Sequence, residues 1–346
     1  MADRLSTIYG TIYWNFIRRV PPRPRAAVRT LWEHAINAVP DRLFLAARRR
    51  YGRRLEVDDS APPPVSLRMA AFRKRIPSSV QTFELLSRPD LKMANVESLL
   101  TRVIFWTGDF WVSQHGAGLK IWEELCRRAT KIIEVGANVG YYTIAGGGAA
   151  LGAYSAYEPH PRSYAALRRN LELNEIDRVH VVQAAAVPEP TLTHIELICP
   201  TGTDRGAPAG AMVKGSPFEG KNPDLETESF LVNAVAFAAA IDGSDLVKID
   251  VEGLEAQLLV SAWAQLCAVR PALMVEIHGF NRELRSLVPQ LMLDLDAVAY
   301  AMRRDHLVPV EPDVLADGKL FDVCHTWDFL IVPSRRASLV DGLVRA

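Results

Sequence analysis

Lys131-Ile132-Ile133-Glu134-Val135-Gly136-Ala137-Asn138-Val139-Gly140-Tyr141-Tyr142-Thr143 decides the fold. A short apolar run reads as a buried parallel strand, and glycines directly after it let backbone approach a ligand. The strand then turns into a helix whose free N–H groups face that ligand. This is the nucleotide-site geometry of a doubly wound α/β sheet. The dinucleotide form requires Gly-x-Gly-x-x-Gly. Here the turn reads Gly136-x-Asn138-x-Gly140, so the NAD fingerprint is absent.

Downstream, helix and strand alternate. Ile144 to Gly152 is the expected crossover helix, although Gly146-Gly147-Gly148 lies inside it. Each glycine costs about 1 kcal/mol against alanine in a helix interior, so the helix is short or its small face packs unusually close to the sheet. Ala153–Tyr157 is a second strand ending at Glu158-Pro159-His160-Pro161. An acid about 20 residues past the glycine turn is placed to accept ribose hydroxyls. Arg162–Asn174 reads as a helix and Val179–Val182 as a third strand closing on Gln183-Ala184-Ala185. Small residues there leave room for a flat base, whose edge Gln183 could bond; tight core packing is the other reading of the alanines.

Leu246-Val247-Lys248-Ile249-Asp250-Val251-Glu252-Gly253 is the second informative stretch. A strand delivers two carboxylates at its end, where ligands of open parallel sheets bind, so Asp250 and Glu252 are expected to converge on Glu158 and Gly136. Alternatively, Lys248 pairs with an acid only to brace the sheet. Leu254–Leu266 is a helix, and Ala272–Ile277 a strand ending at His278, which is either a base or a structural group. Arg282–Ala301 reads as helical, and Phe321–Cys324 with Asp328–Val332 as a closing antiparallel pair. Pro and Gly break residues 199–229 into a long loop, expected as a mobile flap beside the substrate site.

The 346 residues, 49% hydrophobic, supply a core for two units. Cys126, Cys199, Cys267 and Cys324 form no Cys-x-x-Cys pair, which indicates neither zinc nor a disulfide framework and fits a reducing cytoplasm. No apolar run approaches the ~20 residues that span a bilayer, and no charged-then-apolar leader signals export. The formal net charge of zero hides an asymmetry: residues 1–54 hold twelve Arg, no Lys and three acids, net +9. Clusters such as Arg48-Arg49-Arg50 would attract an anionic partner, or simply form a solvated helical face. Helices are expected over 4–19, 26–39 and from Asp41 towards Arg54. Asp58–Pro64 reads as a linker, dividing a basic accessory region, 1–64, from a second domain, 65–346. Residues 65–130 read as mostly helical, with Leu119–Ala129 amphipathic; Trp106, Phe110 and Trp111 read as core or lid packing.

With these blocks in hand, the chain resembles the FkbM-type S-adenosylmethionine-dependent methyltransferases. The resemblance rests on Glu134–Thr143, Tyr157–Pro161, Asn170–Asn174, Val247–Gly253 and Arg270-Pro271 through Val275–His278, and spans roughly residues 100–335. It implies a class I, Rossmann-like methyltransferase fold: a mostly parallel seven-stranded sheet with the final strand antiparallel. It implies methyl transfer from S-adenosylmethionine to a hydroxyl on a sugar, polyketide or lipid-linked glycan. By match of motif, Glu134, Gly136, Asn138 and Gly140 would line the methionine and ribose portion, Glu158 would hold the ribose hydroxyls, and Gln183 with Ala184 would border the adenine. Ala236-Phe237 stands where the family often has Leu-Asp, upstream of the fourth strand.

A hydroxyl acceptor must lose a proton, which assigns the base to Asp250 or His278, with Glu252 orienting the acceptor. A divalent ion on Asp250, Glu252 and Glu276 is a variant of that reading, since carboxylates suit magnesium. The rivals are a catalytically silent cofactor-binding scaffold and a dehydrogenase, the latter disfavoured by Asn138. For the basic region a membrane surface or acidic glycan is preferred over nucleic acid, because charge alone marks only anion affinity. The location expected is cytoplasmic, with peripheral contact at the inner membrane surface as an extension.

Overall fold

The computed structural model describes residues 40–52, 76–77, 79–86, 88–107, 118–200, 207–208, 210–216, 226–303 and 305–345. The chain forms two compact units, Met1–Ser113 and Gln114–Ala346. The sequence-level boundary near residue 64, the helices of 4–19 and 26–39, and Phe110 with Trp111 lie outside the described residues.

In the first unit, α1 spans Asp41–Gly52, the strands β1 (Thr82–Glu84) and β2 (Lys92–Ala94) pair antiparallel, and α2 spans Leu99–Thr107. The hairpin departs from the mostly helical expectation for 65–130. Ser98 and Thr101 exchange side-chain and backbone hydrogen bonds at the start of α2, satisfying N–H groups that a helix leaves open. Arg48 does not face solvent as a free cation. It donates to the Phe105 carbonyl at 2.8 Å and the Glu84 carbonyl at 2.5 Å, with its guanidinium 4.5 Å from the Phe105 ring centroid. Burial lowers its pKa to about 10.

The second unit is built on a mostly parallel eight-stranded sheet. Its elements in chain order are α3 (Leu119–Arg128), β3 (Lys131–Val135), α4 (Tyr141–Ala149), β4 (Ala153–Tyr157), α5 (Pro161–Leu173), β5 (Val179–Val182), β6 (Ala185–Val187), β7 (His194–Pro200), β8 (Met212–Val213) and β9 (Thr227–Ala236). There follow α6 (Phe237–Ala240), β10 (Leu246–Ile249), α7 (Glu255–Ser261), α8 (Trp263–Val269), β11 (Ala272–Glu276), α9 (Arg282–Leu295), β12 (Ala297–Met302), β13 (Leu307–Val310), α10 (Pro312–Ala316), α11 (Leu320–Cys324) and β14 (Asp328–Pro333). The strand order is β13-β12-β14-β11-β10-β3-β4-β5. β5, β4, β3, β10 and β11 run parallel, and β14 is inserted antiparallel to both β11 and β12. Those seven strands are the expected architecture, and β13 adds an eighth at the edge. A separate four-stranded sheet, β6-β9-β7-β8, takes in parts of the stretch read as a loop.

Every residue of β10 and β14 is buried, Lys248 and Asp328 among them, as in strands covered on both faces. The strand order reverses between the parallel neighbours β3 and β10: β4 and β5 lie outward on one side, β11 on the other. That crevice at the carboxyl ends is where an open sheet takes its ligand.

Several boundaries differ from the sequence reading. α4 begins at Tyr141 and holds the glycine triplet inside it. The reason is close packing, against α3 on one side and the sheet on the other: a Cβ on Gly146 would lie 2.5 Å from Trp122 Nε1 and 2.8 Å from Cys126 Sγ. One on Gly147 would lie 2.5 Å from Val179 Cγ2. The helix expected to Ala301 stops at Leu295, because Asp296 adopts a left-handed φ of 52° and the alanine-rich tail becomes β12. Phe321–Cys324 is helical, so the partners of β14 are β11 and β12. The helix after Gly253 breaks at Ala262 into α7 and α8.

Candidate active site

The turn after β3 is tied to its neighbours on both sides. The Gly136 and Ala137 N–H groups donate to the Tyr157 carbonyl at 3.0 and 3.1 Å, and Asp250 N donates to the Val135 carbonyl at 3.1 Å. Gly136 has φ +81°, and a Cβ there would lie 1.7 Å from the Asp250 carbonyl oxygen. Only glycine admits that contact. Asn138 takes the left-handed region at φ 49°, which asparagine tolerates better than most residues. Gly140 (φ +86°) makes room for Leu167 of α5, whose Cδ1 would lie 2.4 Å from an added Cβ. Asn170, on the same helix and fully buried, donates to the Val139 carbonyl at 2.7 Å and fastens the turn from behind.

Glu158 stands at the end of β4 and is 6% exposed. Its carboxylate accepts the Asn138 N–H at 2.7 Å and the His160 N–H at 2.8 Å. Burial raises its pKa to about 7, against those two hydrogen bonds and with help from Asp250 and Glu134. His160 caps α5, its Nδ1 accepting from Arg162 N and Ser163 N; burial and Arg162 lower its pKa to about 4. The Val182 carbonyl accepts from both Glu158 N (3.1 Å) and Ala184 N (3.0 Å). The end of β5 is thereby fixed beside Glu158, with Ala184 buried and Gln183 exposed.

Glu134 behaves differently from its expected place among ligand-lining residues. It is 1% exposed, and its Oε2 accepts from Thr143 (2.8 Å) and Tyr154 (2.7 Å). Burial pushes its carboxyl up, against the nearby Lys248 charge. Lys248, 3% exposed, donates to Asp250 Oδ2 at 2.8 Å and lies 4.8 Å from the Tyr142 ring centroid. Burial works to lower its pKa, but Asp250 and Glu134 outweigh that and leave it above the ordinary lysine value. The Lys248–acid pair is therefore present, and it joins a structural carboxylate to one at the strand end.

Asp250 and Glu252 occupy the loop after β10. Glu252 holds φ 52° and Gly253 φ 102°, and Glu255 organises both: its Oε1 accepts Val251 N at 3.2 Å and Gly253 N at 3.1 Å. Burial, then Asp250, Glu276 and Glu255, hold the Glu252 carboxyl well above the usual carboxylate range. His278 follows β11, its Nε2 3.3 Å from Glu276 Oε1. Glu255 Oε2 reaches Asn281 Nδ2 at 3.5 Å, linking the loops after β10 and β11. Sequence reading missed Glu255, Asn281, Thr143 and Tyr154. The repeated acid two residues after Gly253 was the available signal for the first. Asp250, Glu252 and Glu276 do not form a metal-holding group among the described residues.

The described part of the long loop touches the site at two points: the Pro208 carbonyl accepts from Asn138 Nδ2 (3.4 Å), and Ser216 Oγ donates to the Glu252 carbonyl (2.9 Å). Residues 201–206, 209 and 217–225 lie outside the described residues.

Residues 134–302 match the family model of the methyltransferase FkbM domain. This chain carries an FkbM methyltransferase domain. The match begins at Glu134 and ends at Met302, so it takes in the glycine turn, Glu158, the β10 loop and His278. No curated protein matches the chain. Among solved structures it is similar to the methyltransferase FkbM from Methylobacillus flagellatus KT, at 16% identity and TM-score 0.34, over 69% of this chain and 55% of that one. This chain thus aligns with little more than half of that protein's length. It is similar also to an O-methyltransferase from Bacillus cereus in complex with SAH, at 11% identity and TM-score 0.32, over 62% and 78% of the two chains. An rRNA methylase from Streptococcus thermophilus follows at 9% and 0.33, over 62% and 91%. At these scores the resemblances carry no argument; the fold rests on the strand order itself.

Proposed function

We propose that the FkbM domain moves a methyl group from S-adenosylmethionine to a hydroxyl oxygen of a sugar, glycan, lipid-linked or polyketide-type acceptor. The observation that carries the reading is Glu158. A buried carboxylate is oriented by two backbone N–H groups at a strand end and keeps further lone pairs for a ligand's hydroxyls. The residues present fit an adenosyl group. Asn138 Oδ1 is a buried acceptor without a partner among the described residues, beside that carboxylate. Gly136, Asn138, Gly140 and Glu158 would hold the methionine and ribose portion, and Gln183 with Ala184 would border the base.

S-adenosylmethionine supplies a methyl group already activated on sulfur. The chain's task is to align an acceptor oxygen and remove its proton. Asp250, kept in place by Lys248, and His278, beside Glu276, are the two groups at the strand ends able to take that proton. Glu252 donates to or accepts from the acceptor and so orients it. Methyl transfer from labelled S-adenosylmethionine into glycan, lipid and small-molecule fractions of a cell extract tests the reading. Asp250→Asn or His278→Ala, still binding cofactor, should lose about a hundredfold or more in rate if that residue is the base. Full activity in both removes them as bases, and cofactor binding with no transfer into any fraction favours the silent scaffold.

A further inference from the structure

Glu255 is 5% exposed and opens α7, and its carboxyl group turns back onto the loop before the helix. Oε1 accepts Val251 N at 3.2 Å and Gly253 N at 3.1 Å. Between those two N–H groups stands Glu252, left-handed at φ 52°, followed by Gly253 at φ 102°. That region is unfavourable for any residue with a Cβ and persists only where surrounding bonds over-determine it. Glu255 supplies two of those bonds, and Ser216 Oγ holds the Glu252 carbonyl at 2.9 Å.

The other oxygen of Glu255 leaves the loop. Oε2 reaches Asn281 Nδ2 at 3.5 Å, 26 residues on, past the end of β11. Asn281 is committed at every other polar atom. Its N donates to the His278 carbonyl at 3.0 Å, its carbonyl accepts Arg285 N at 3.1 Å, and its Oδ1 caps α9 by accepting Leu284 N at 3.2 Å. Because Oδ1 faces an N–H, the amide has one satisfied orientation, with its NH2 toward Glu255. Leu258 of α7 and Leu284 of α9 are fully buried in one core, which sets the two helices under the pair. A carboxyl group that only started α7 would be satisfied by the two loop N–H groups. The second oxygen joins the bend carrying Glu252 to the turn carrying His278.

Resting on the methyl-transfer reading, we propose that Glu255 and Asn281 are a pair of positioning residues that hold the acceptor-side groups Glu252 and His278 in a fixed mutual geometry, touching neither cofactor nor acceptor themselves. A misplacement of about 1 Å near the reacting atoms costs about a hundredfold in rate. The glycine turn and Glu158 are held by other bonds, to the Tyr157 carbonyl and from Asn138 and His160. The pair therefore acts on turnover and leaves cofactor affinity alone.

The test exchanges the two functional groups. In Glu255→Gln one NH2 faces another, and turning either amide over sets its NH2 against a backbone N–H. In Asn281→Asp two carboxyl groups meet with no N–H between them. The double variant Glu255→Gln/Asn281→Asp again sets one donor against one acceptor, keeps the net charge, and keeps an oxygen on every backbone N–H, since Asp caps a helix as well as Asn does. Three readouts are compared in the full chain. They are the His278 imidazole signal by NMR, S-adenosylhomocysteine affinity by calorimetry, and labelled methyl transfer from S-adenosylmethionine into cell-extract fractions. The Phe280 ring stacks on His278 at 4.7 Å and 12°, so its ring current reports a shift of the turn. Each single variant should move that signal and slow transfer about tenfold or more, and the double variant should restore both. S-adenosylhomocysteine affinity should be equal in all four proteins. A His278 signal unmoved in both single variants, or a double variant as perturbed as the worse single, overturns the pair. Cofactor affinity that falls in step with the rate overturns its acceptor-side assignment. No transfer by wild type into any fraction, with the His278 signal following the expected pattern, instead overturns the methyl-transfer reading.

Discussion

Removing the charge of Glu158 separates the stability of the site from its affinity. Its pKa of about 7 in the ligand-free protein stands above the 4.5 of an ordinary glutamate, mainly because burial penalises the charged form. The folded state therefore holds this proton more tightly than the unfolded chain does. Its contribution to stability is fully present below pH 4.5, is lost as pH rises to about 7, and is constant above that. The full span is about 3 kcal/mol at 1.36 kcal/mol per pH unit. A ribose diol donating to the carboxylate favours the ionised form, so affinity should run the opposite way and rise with pH. If binding returns the carboxyl to an ordinary value, affinity at pH 5 should be up to about a hundredfold below that at pH 8. Calorimetry with 5′-methylthioadenosine isolates the effect, because that nucleoside carries no group titrating in this range. Denaturant unfolding across the same pH range measures the stability slope. Glu158→Gln should abolish the affinity slope, remove this residue's share of the stability slope, and bind weakly at every pH. A wild-type affinity independent of pH, or the same slope in Glu158→Gln, would refute the assignment of Glu158 to the ribose.

Three further outcomes follow from packing and charge. Gly148→Ala should stabilise α4 by about 1 kcal/mol in the usual way, since its nearest neighbour to an added Cβ is 3.7 Å away, whereas Gly146→Ala should destabilise against Trp122 and Cys126; equal effects in thermal melts would contradict the packing. Lys248→Met should cost about 3–5 kcal/mol by leaving Glu134 and Asp250 uncompensated, and adding Glu134→Gln should restore part of it. Strict additivity of that pair in urea unfolding would argue against the network. The net +9 of residues 1–54 should make the full chain sediment with anionic vesicles at low salt and release as salt rises; binding insensitive to salt would remove the electrostatic account.

Much of the fold was legible because parallel strands in the middle of a sheet are rich in apolar, often β-branched residues. Lys131–Val135, Leu246–Ile249 and Ala272–Glu276 announce themselves this way despite the charged residues they carry, and Val179–Val182 does so by its three valines although His180 is exposed. What was misread has weaker local signals. Ala297–Met302 is alanine-rich and follows a helix without Pro or Gly, so only the left-handed Asp296 and pairing with β14 make it a strand. The small sheet of β6 to β9 joins segments whose partners lie tens of residues apart, and no local period specifies that pairing.

The same division runs through the site. The sequence by itself determined where glycine is obligatory and which acids end strands, because a turn needing positive φ and a strand end reaching a crevice are local consequences of residue type. It placed Gly136, Asn138, Gly140, Glu158, Asp250 and Glu252 after the carboxyl ends of strands. Tertiary structure alone decided what each carboxylate does. Glu134 and Glu158 are chemically identical and both buried, yet one is consumed by Thr143 and Tyr154 while the other is held only by backbone N–H groups. Solvation and hydrogen-bond partners set that difference, and they come from residues distant in the chain.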